Sequence, residues 1–233
     1  MALFPGPQQS VFWYDFEGLT DGNLFQDLGP YGLHATPQAG FVAPNFGLAR
    51  NAHGKGYANF TGAANVYATL PLRFYTVAPT LNMTLVLCAQ HGAQALNGRA
   101  FNARTGTSGF HAYFITTERI NVLLYDAGAA ATQFFDNADV PFTNRLHTSI
   151  YSCDKVAAAA AIGARVWHDR NGSAAFSAGN ANPINYDVAL IPSIGSAGAA
   201  SYFIGRMYWL ILFNFVFTDS EAKAMSAWLM DQV

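Results

Sequence analysis

The sequence is poor in charged residues, which make up only 11% of its 233 positions. Soluble proteins average about 25%, and a surface with few charges keeps a free monomer in solution poorly. We therefore expect part of the surface to be covered by a partner or by copies of the chain; the alternative is a neutral, Ala/Gly-rich domain that does not assemble. The net charge is -2 without any basic run, so nucleic acid is not an expected partner.

Cysteine and long apolar runs are also scarce. Cys88 and Cys153 lie in apolar segments and are expected to be buried thiols, although a bridge between neighbouring strands stays open. The N-terminal MALFPGPQQS has neither a basic region nor a long apolar one, which argues against a secretory signal. The longest strongly apolar stretch, Trp209 to Phe217, is about half of what a membrane-spanning helix needs. These absences predict a soluble chain without membrane insertion.

Short segments rich in Val, Ile, Phe, Tyr and Thr fill the chain, separated by clusters of Gly, Pro, Asn and Asp. This pattern is typical of many strands joined by turns, and all-β sandwiches of about 200 to 250 residues form one domain. We predict an all-β domain over residues 10–233, preceded by an extended arm over residues 1–9 that packs on a neighbour. The strand candidates are VFWYDF (11–16), NVYATL (65–70), MTLVLCAQ (83–90), FHAYFIT (110–116), INVLLYD (120–126), HTSIYSC (147–153) and ARVWHD (164–169).

Three local signals are more specific. Asn171-Gly172 predicts a tight type I′ hairpin turn, because both residues accept positive φ. The capping-box spacing of Thr218 and Glu221 predicts a helix that runs to about residue 230, with Ala224, Trp228 and Met225 as candidates for its apolar side. The Ala-rich stretch 155–164 is expected to be a connector between strands.

Five landmarks follow one another along the chain: WYDFEG (13–18), LFQDLGPYGLHATPQAG (24–40), GKGYANFTGAANVYATLP (54–71), VWHDRNGS (166–173) and IPSIGSAGAASYFIGRMYWLILFNFVFTDSEAKAMSAWL (191–229). In this order they resemble laminin G-like and pentraxin-like members of the concanavalin A-like lectin/glucanase superfamily. The resemblance covers nearly the whole chain and implies an antiparallel jelly-roll sandwich. The Ala-rich loops, Arg170 where a turn Gly is common, and the N-terminal arm depart from the family pattern.

The number and spacing of the carboxylate side chains indicate whether the chain could be a glycosidase. Some enzymes of this fold are retaining glycosidases, which need two carboxyl groups roughly 5 Å apart. The chain has only three Glu, and Glu221 is accounted for by the helix cap while Glu118 is isolated. Asp15 and Glu17 alone have usable spacing, and they lie in the opening strand without a third carboxylate. We therefore predict that the protein is not an enzyme.

No cofactor is predicted, and calcium is the one metal worth considering, because many relatives on this fold bind it at a loop edge. Asp136, Asn137 and Asp139 supply oxygen ligands of the kind that calcium takes, although a solvated turn explains them equally well. A weaker candidate set is Asp21, Asn23 and Asp27.

A sugar site needs an aromatic platform beside polar side chains. Trp167, His168, Asp169 and Asn171 meet that description near the predicted hairpin, and Asn182 and Tyr186 do so in the following loop. Side chains alternate between the two faces of a strand, so Trp167 could equally face the core.

Two function classes follow. The absence of a signal sequence, the few charges and the N-terminal arm favour a structural protein assembled in the host cytoplasm on a bacteriophage virion, as a capsid decoration, head-fibre or tail component, with other virion proteins or copies of itself as partners. The alternative is a carbohydrate-binding or host-adhesion module at a cell surface or outside the cell, with surface glycans as partners.

Overall fold

The computed structural model describes residues 4–16, 24–41, 51–93, 98–114, 120–125, 131–135, 144–154, 163–169, 171–172, 182–197 and 201–233, with backbone alone at 120, 131–135, 163–164 and 171–172. The strands are β1 (Phe12–Asp15), β2 (Thr36–Pro37), β3 (Ala58–Thr61), β4 (Ala68–Thr69), β5 (Asn82–His91), β6 (Gly98–Thr105), β7 (Ser108–Phe114), β8 (Ile120–Tyr125), β9 (Ala131–Phe135), β10 (Leu146–Asp154), β11 (Gly163–His168), β12 (Asn171–Gly172), β13 (Ser193–Ile194) and β14 (Ile204–Phe213). One α-helix, α1 (Asp219–Asp231), follows them. Short 3-10 helices span Pro7–Gln9 and Leu72–Thr76.

The strands form two sheets in which every named strand pair is antiparallel. The first sheet has the order β1-β14-β5-β10-β11-β12, and β3 also pairs with β14. The second has the order β2-β4-β13-β6-β7-β8-β9. Strands distant in the sequence are neighbours in both sheets, as in a jelly roll. The predicted all-β jelly-roll sandwich with a short C-terminal helix is confirmed.

Both faces of the first sheet are buried. In β5, Leu85 and Leu87 point into the core between the sheets, while Val86 and Cys88 point into a second apolar cluster under α1. A sheet covered on both faces needs apolar residues at every position rather than at every second one. The apolar stretch noted in the sequence, which is too short to span a membrane, begins in β14. Burial of both faces of the sheet explains it. Both cysteines are buried free thiols.

The C-terminal helix begins where the capping box predicts. The Glu221 amide donates to Thr218 Oγ1 (3.3 Å), and the Thr218 amide donates to Glu221 Oε2 (2.7 Å). The buried side of the helix consists of Ala222, Met225, Ser226 and Leu229. The prediction is therefore correct for Met225 but wrong for Ala224, because the register set by the cap turns Ala222 rather than Ala224 toward the sheet.

The N-terminal arm differs from its prediction where it is described. Pro7–Gln9 form a 3-10 turn instead of an extended segment, and Pro5 is buried. The Phe4 ring lies 5.4 Å from the Trp228 ring of the same chain. The aromatic side chains of the arm and the helix thus cover each other, because each removes apolar surface from water.

The hairpin turn lies two residues earlier than predicted. Asn171 pairs with His168 and Gly172 pairs with Trp167, so Asn171-Gly172 begin β12. The chain reverses between His168 and Asn171, where Asp169 has φ 46°. Asp tolerates positive φ better than most residues, and the Asp169 carboxylate also accepts a 2.8 Å hydrogen bond from the Thr148 amide on β10, which ties the turn to the neighbouring strand. The Ala-rich connector 155–162 lies outside the described residues.

Candidate functional site

The structure does not place Trp167 at a surface. Its side chain is 2% exposed and packs in the cluster under the helix. The indole Nε1 donates a 2.9 Å hydrogen bond to Asp219 Oδ1 in the first turn of α1. Trp167 therefore has no open ring face for a sugar, and the aromatic platform predicted there is corrected to a core position.

His168 and Asp169 also serve the local structure. His168 is 7% exposed, with Nδ1 2.9 Å from Ser149 Oγ. Besides its bond from Thr148, Asp169 forms a 2.8 Å ion pair with Arg145. The backbone of Asn171 lies in β12, and the contribution of its side chain to a glycan site stays a prediction.

Tyr186 and Trp167 are not brought together. The Tyr186 hydroxyl donates to the Pro79 carbonyl (2.7 Å), and its ring packs against the core between the sheets. Trp167 belongs to the cluster on the opposite face of the first sheet. Asn182 is exposed. The six predicted glycan residues are thus divided between separate parts of the molecule.

The calcium predictions are only partly covered by the structure. Asp136, Asn137 and Asp139, as well as Asp21 and Asn23, lie outside the described residues. The Asp27 carboxylate is buried and accepts three backbone hydrogen bonds, from Trp13 (2.8 Å), Gly29 (2.8 Å) and Leu33 (2.7 Å). Among the described residues, no group of three or more His, Cys, Asp or Glu is placed to hold a metal ion.

The opening-strand carboxylate has a structural partner. Asp15 forms a 2.8 Å ion pair with Lys55, which is only 6% exposed. The Lys55 ammonium also lies 4.1 Å from the centre of the Trp209 ring. A buried ammonium needs such compensation, so Asp15 is engaged as the ion-pair partner of Lys55. Glu17 lies outside the described residues.

A different group of polar side chains lies on the outer face of the second sheet. Arg99, Tyr113 and Asn121 stand opposite one another on β6, β7 and β8, as do Asn102, His111 and Leu123 in the next row. Arg104 and Tyr125 belong to a third row, on either side of Gly109. Directly paired residues point to the same face, so these rows form one surface. We call it the arginine–histidine face, defined by Arg99, Asn102, Arg104, His111, Tyr113, Asn121 and Tyr125.

His111 lies at the middle of this face and is 2% exposed. Neither ring nitrogen has a hydrogen-bond partner among the described residues, nor does Asn121 Oδ1. Burial, followed by the positive charges of Arg99 and Arg104, lowers the pKa of His111 to about 2. The ring is therefore neutral at physiological pH, so that one buried nitrogen is a hydrogen-bond donor and the other an acceptor.

The two arginines are held by neutral groups. Arg99 Nη1 donates to Asn102 Oδ1 (2.7 Å), and its buried Nε has no partner in the described part of the chain. Arg104 Nη2 donates to the Tyr125 hydroxyl (2.9 Å), and its guanidinium lies 4.5 Å above that ring. Burial, and secondarily Arg104, lowers the pKa of Arg99 to about 10. Within the described ranges, no carboxylate forms an ion pair with either guanidinium.

A pocket of about 270 Å³ lies at an edge of the first sheet, where β3, β5 and β14 meet. Gly205, with φ 144°, forms part of its wall, and a Cβ there would be 2.5 Å from the Gln90 carbonyl. Gln90 Nε2 donates to the Asn144 carbonyl (2.8 Å), and Arg206 lies 4.8 Å above the Tyr57 ring. Arg206 Nη1 also donates to Gln90 Oε1 (3.4 Å), so both polar side chains already have partners within the protein.

The arginine–histidine face was missed in the sequence, although a signal for it exists. In β6 the order Phe101-Asn102-Ala103-Arg104 alternates apolar and polar residues, and Phe110-His111-Ala112-Tyr113 does so in β7. Such alternation marks a strand with one core face and one outer face. The sequence does not show which strands are neighbours, so the two polar rows could not be assigned to one surface.

The comparisons with known proteins give the fold. No family model and no curated protein matches the sequence. The structure is similar to the botulinum neurotoxin type G receptor-binding domain (TM-score 0.64, 12% identity, 95% of this chain and 51% of that one). It is also similar to the serotype D ligand-binding domain in complex with N-acetylneuraminic acid (TM-score 0.67, 8% identity, 95% and 51%). A third match is the binding domain of botulinum neurotoxin DC in complex with rat synaptotagmin II (TM-score 0.66, 8% identity, 95% and 52%).

The chain spans about half the length of the structures it matches. No helix in the described ranges is long and apolar enough to cross a membrane. At such low identity the similarity concerns architecture alone. The chain has a jelly-roll β-sandwich fold, which it shares with about half of each of these neurotoxin binding domains.

Proposed function

We propose that this chain is a non-catalytic carbohydrate-binding module and that the arginine–histidine face is its binding surface. The observation that carries the proposal is His111, a buried side chain on the outer face of a sheet whose two ring nitrogens have no partner in the described part of the chain. A buried polar group without a partner costs about 1–3 kcal/mol. A ligand hydroxyl that bonds this ring would recover that free energy.

The surroundings of His111 suit a sugar. The Tyr113 ring lies 4.6 Å from the His111 ring, and both Tyr113 and Tyr125 are partly exposed. Asn121 adds an amide oxygen without a partner among the described residues. Aromatic rings beside a few convergent polar groups are the usual composition of a site for a small polar ligand. The matched domains, one of them in complex with N-acetylneuraminic acid, support a binding role on this fold.

A binding role also agrees with the carboxylates of the described residues. Asp15 is engaged by Lys55, Asp27 by three backbone amides and Glu221 by the helix cap. A retaining or inverting glycosidase requires two carboxyl groups across a bound sugar. The arginine–histidine face has none in its described residues.

The proposal is tested on a glycan array with the full chain, Tyr113→Ala and Tyr31→Ala. Tyr31 is also partly exposed but lies in a turn before β2, outside the arginine–histidine face, and so is the matched control. We expect saccharide hits that weaken at least about tenfold in Tyr113→Ala, corresponding to about 1.4 kcal/mol, and that persist in Tyr31→Ala. A blank array with folded protein, or hits that Tyr113→Ala leaves intact, would overturn the proposal.

The role as a virion component assembled in the host cytoplasm stays a second proposal. Its support is the charged fraction of only 11%, which favours a covered surface. The test is co-sedimentation of the purified chain with assembled capsids or tails, together with its oligomeric state. Binding to particles as a symmetric oligomer would support it, and a stable monomer that leaves particles uncovered would contradict it.

A further inference from the structure

The arginine–histidine face carries two positive charges without a negative one. Arg99 and Arg104 lie on the same face of β6, on either side of the His111 row. Among the described residues they contact an amide oxygen, a phenol, a backbone carbonyl and an aromatic ring, all of them neutral. Within the described part of the chain, the three salt bridges do not involve either arginine.

Placing two guanidinium groups near each other at a partly buried surface is unfavourable. Both desolvation and mutual repulsion act against the charged forms. The lowered pKa of Arg99, due to burial first and Arg104 second, reflects both effects. A ligand anion between the arginines would relieve the repulsion and supply the missing countercharge.

The available donors define what kind of anion fits. A guanidinium is a planar fork that binds carboxylate or sulfate through paired N–H groups. The buried Nε of Arg99 has no partner among the described residues, and Arg104 donates from Nε to the Gly106 carbonyl and from Nη2 to the Tyr125 hydroxyl, both neutral groups. Neutral His111 adds one N–H donor between them.

We infer that the ligand of this face is an acidic saccharide. Its carboxylate or sulfate is held between Arg99 and Arg104, and its sugar ring packs against the Tyr113 ring. This inference rests on the proposed function and specifies the ligand class. Neutral saccharides satisfy the His111 ring but leave the two arginines without a countercharge.

The probes are methyl β-glucuronide, a heparin-derived tetrasaccharide, lactose and inorganic sulfate. Binding is measured by calorimetry at 50 and 500 mM NaCl, and the histidine ring signals are followed by NMR. We expect the acidic saccharides to bind at least about tenfold more tightly than lactose, to raise Tm as a ligand of the folded state must, and to bind more weakly at high salt because surface charges are screened.

Variants assign the binding to the arginines. Arg104→Gln should weaken the binding of acidic saccharides at least about tenfold without changing the binding of lactose. Arg104→Lys should restore part of the lost affinity because the charge is kept. Arg206→Gln is the control, since Arg206 is an exposed arginine that stacks on Tyr57 in the first sheet.

The outcomes separate the two proposals. Lactose binding as tight as that of the acidic saccharides, sensitive to Tyr113→Ala but not to Arg104→Gln, would overturn the inference and leave the carbohydrate-binding function standing. Sulfate that shifts the His111 signals while every saccharide fails to bind would overturn the function and leave an anion site. Acidic saccharides bound equally by wild type and Arg104→Gln would overturn the inference as well.

Discussion

Trp167 Nε1 donates a 2.9 Å hydrogen bond to Asp219 Oδ1, and this bond joins strand β11 to the first turn of helix α1. The Asp219 carboxylate also pairs with Lys223 (2.7 Å), four residues on in the same helix. The bonds from Lys223 and then Trp167 lower the pKa of Asp219. An acidic residue in the first turn also suits the positive end of the helix dipole. The contact therefore fixes where the helix lies on the sheet.

Trp167→Ala should be strongly destabilising. Removing a fully buried large aromatic side chain costs about 3–5 kcal/mol in the free energy of unfolding, and Trp167 is 2% exposed. Urea denaturation followed by circular dichroism measures the change. A loss below about 0.5 kcal/mol, the usual result of a surface substitution, would show that Trp167 is a surface residue after all.

Thr218→Ala should destabilise helix α1 through its cap. The Thr218 hydroxyl accepts a hydrogen bond from the Glu221 amide. Loss of such a cap costs about 0.5–2 kcal/mol in the free energy of unfolding. Gln232→Ala, at the exposed C-cap of the same helix, is the control and should stay within about 0.5 kcal/mol of wild type. Equal effects of the two substitutions on the urea midpoint would contradict the role assigned to the cap.

Asp27→Asn should destabilise the N-terminal part of the sandwich. The carboxylate accepts backbone hydrogen bonds from Trp13, Gly29 and Leu33. An amide places two donors where those donors point, so we expect a loss of about 2–4 kcal/mol. Asp187→Asn is the control, because Asp187 is exposed and accepts one backbone bond, from Ala189. If Asp27→Asn were as stable as wild type, the carboxylate would be dispensable for folding, and its predicted role as a calcium ligand would be open again.

Stability should fall in acid because of His147. Burial first and His91 second lower its pKa to about 3, with smaller contributions from His168 and Arg145, although a bond with the Arg145 carbonyl acts in the opposite direction. The unfolded chain takes up this proton near pH 6.5, so between these values the unfolded state holds more protons. The contribution is complete above about pH 6.5 and decreases as the pH falls toward 3.

From pH 7 to pH 4.5 the loss of unfolding free energy due to His147 alone is roughly 2.5 kcal/mol. Urea midpoints at the two pH values measure it, and His147→Gln should show a smaller difference between them. His53→Gln, at an exposed side chain, should keep the wild-type difference. The prediction fails if His147→Gln loses as much stability in acid as wild type does.

Local features of the fold could be predicted because they depend on near neighbours in the sequence. Thr218 and Glu221 are three residues apart and cap the helix wherever it packs. The strand MTLVLCAQ became β5 because a run of β-branched and apolar residues favours a buried strand. The hairpin was misplaced by two residues, since Asn171-Gly172 is a local turn signal, whereas in the structure these residues pair with His168 and Trp167.

The sequence by itself determined the all-β architecture, the capped helix and the alternation that separates core from outer positions. The tertiary structure alone decided that Trp167 is buried, because helix α1 covers the outer face of the first sheet. It also decided that Arg99, Arg104 and His111 share one surface, because the pairing of β6 with β7 places their rows together. The physical reason is that a period of two shows which residues share a face of a strand, whereas strand partners and register depend on contacts distant in the sequence.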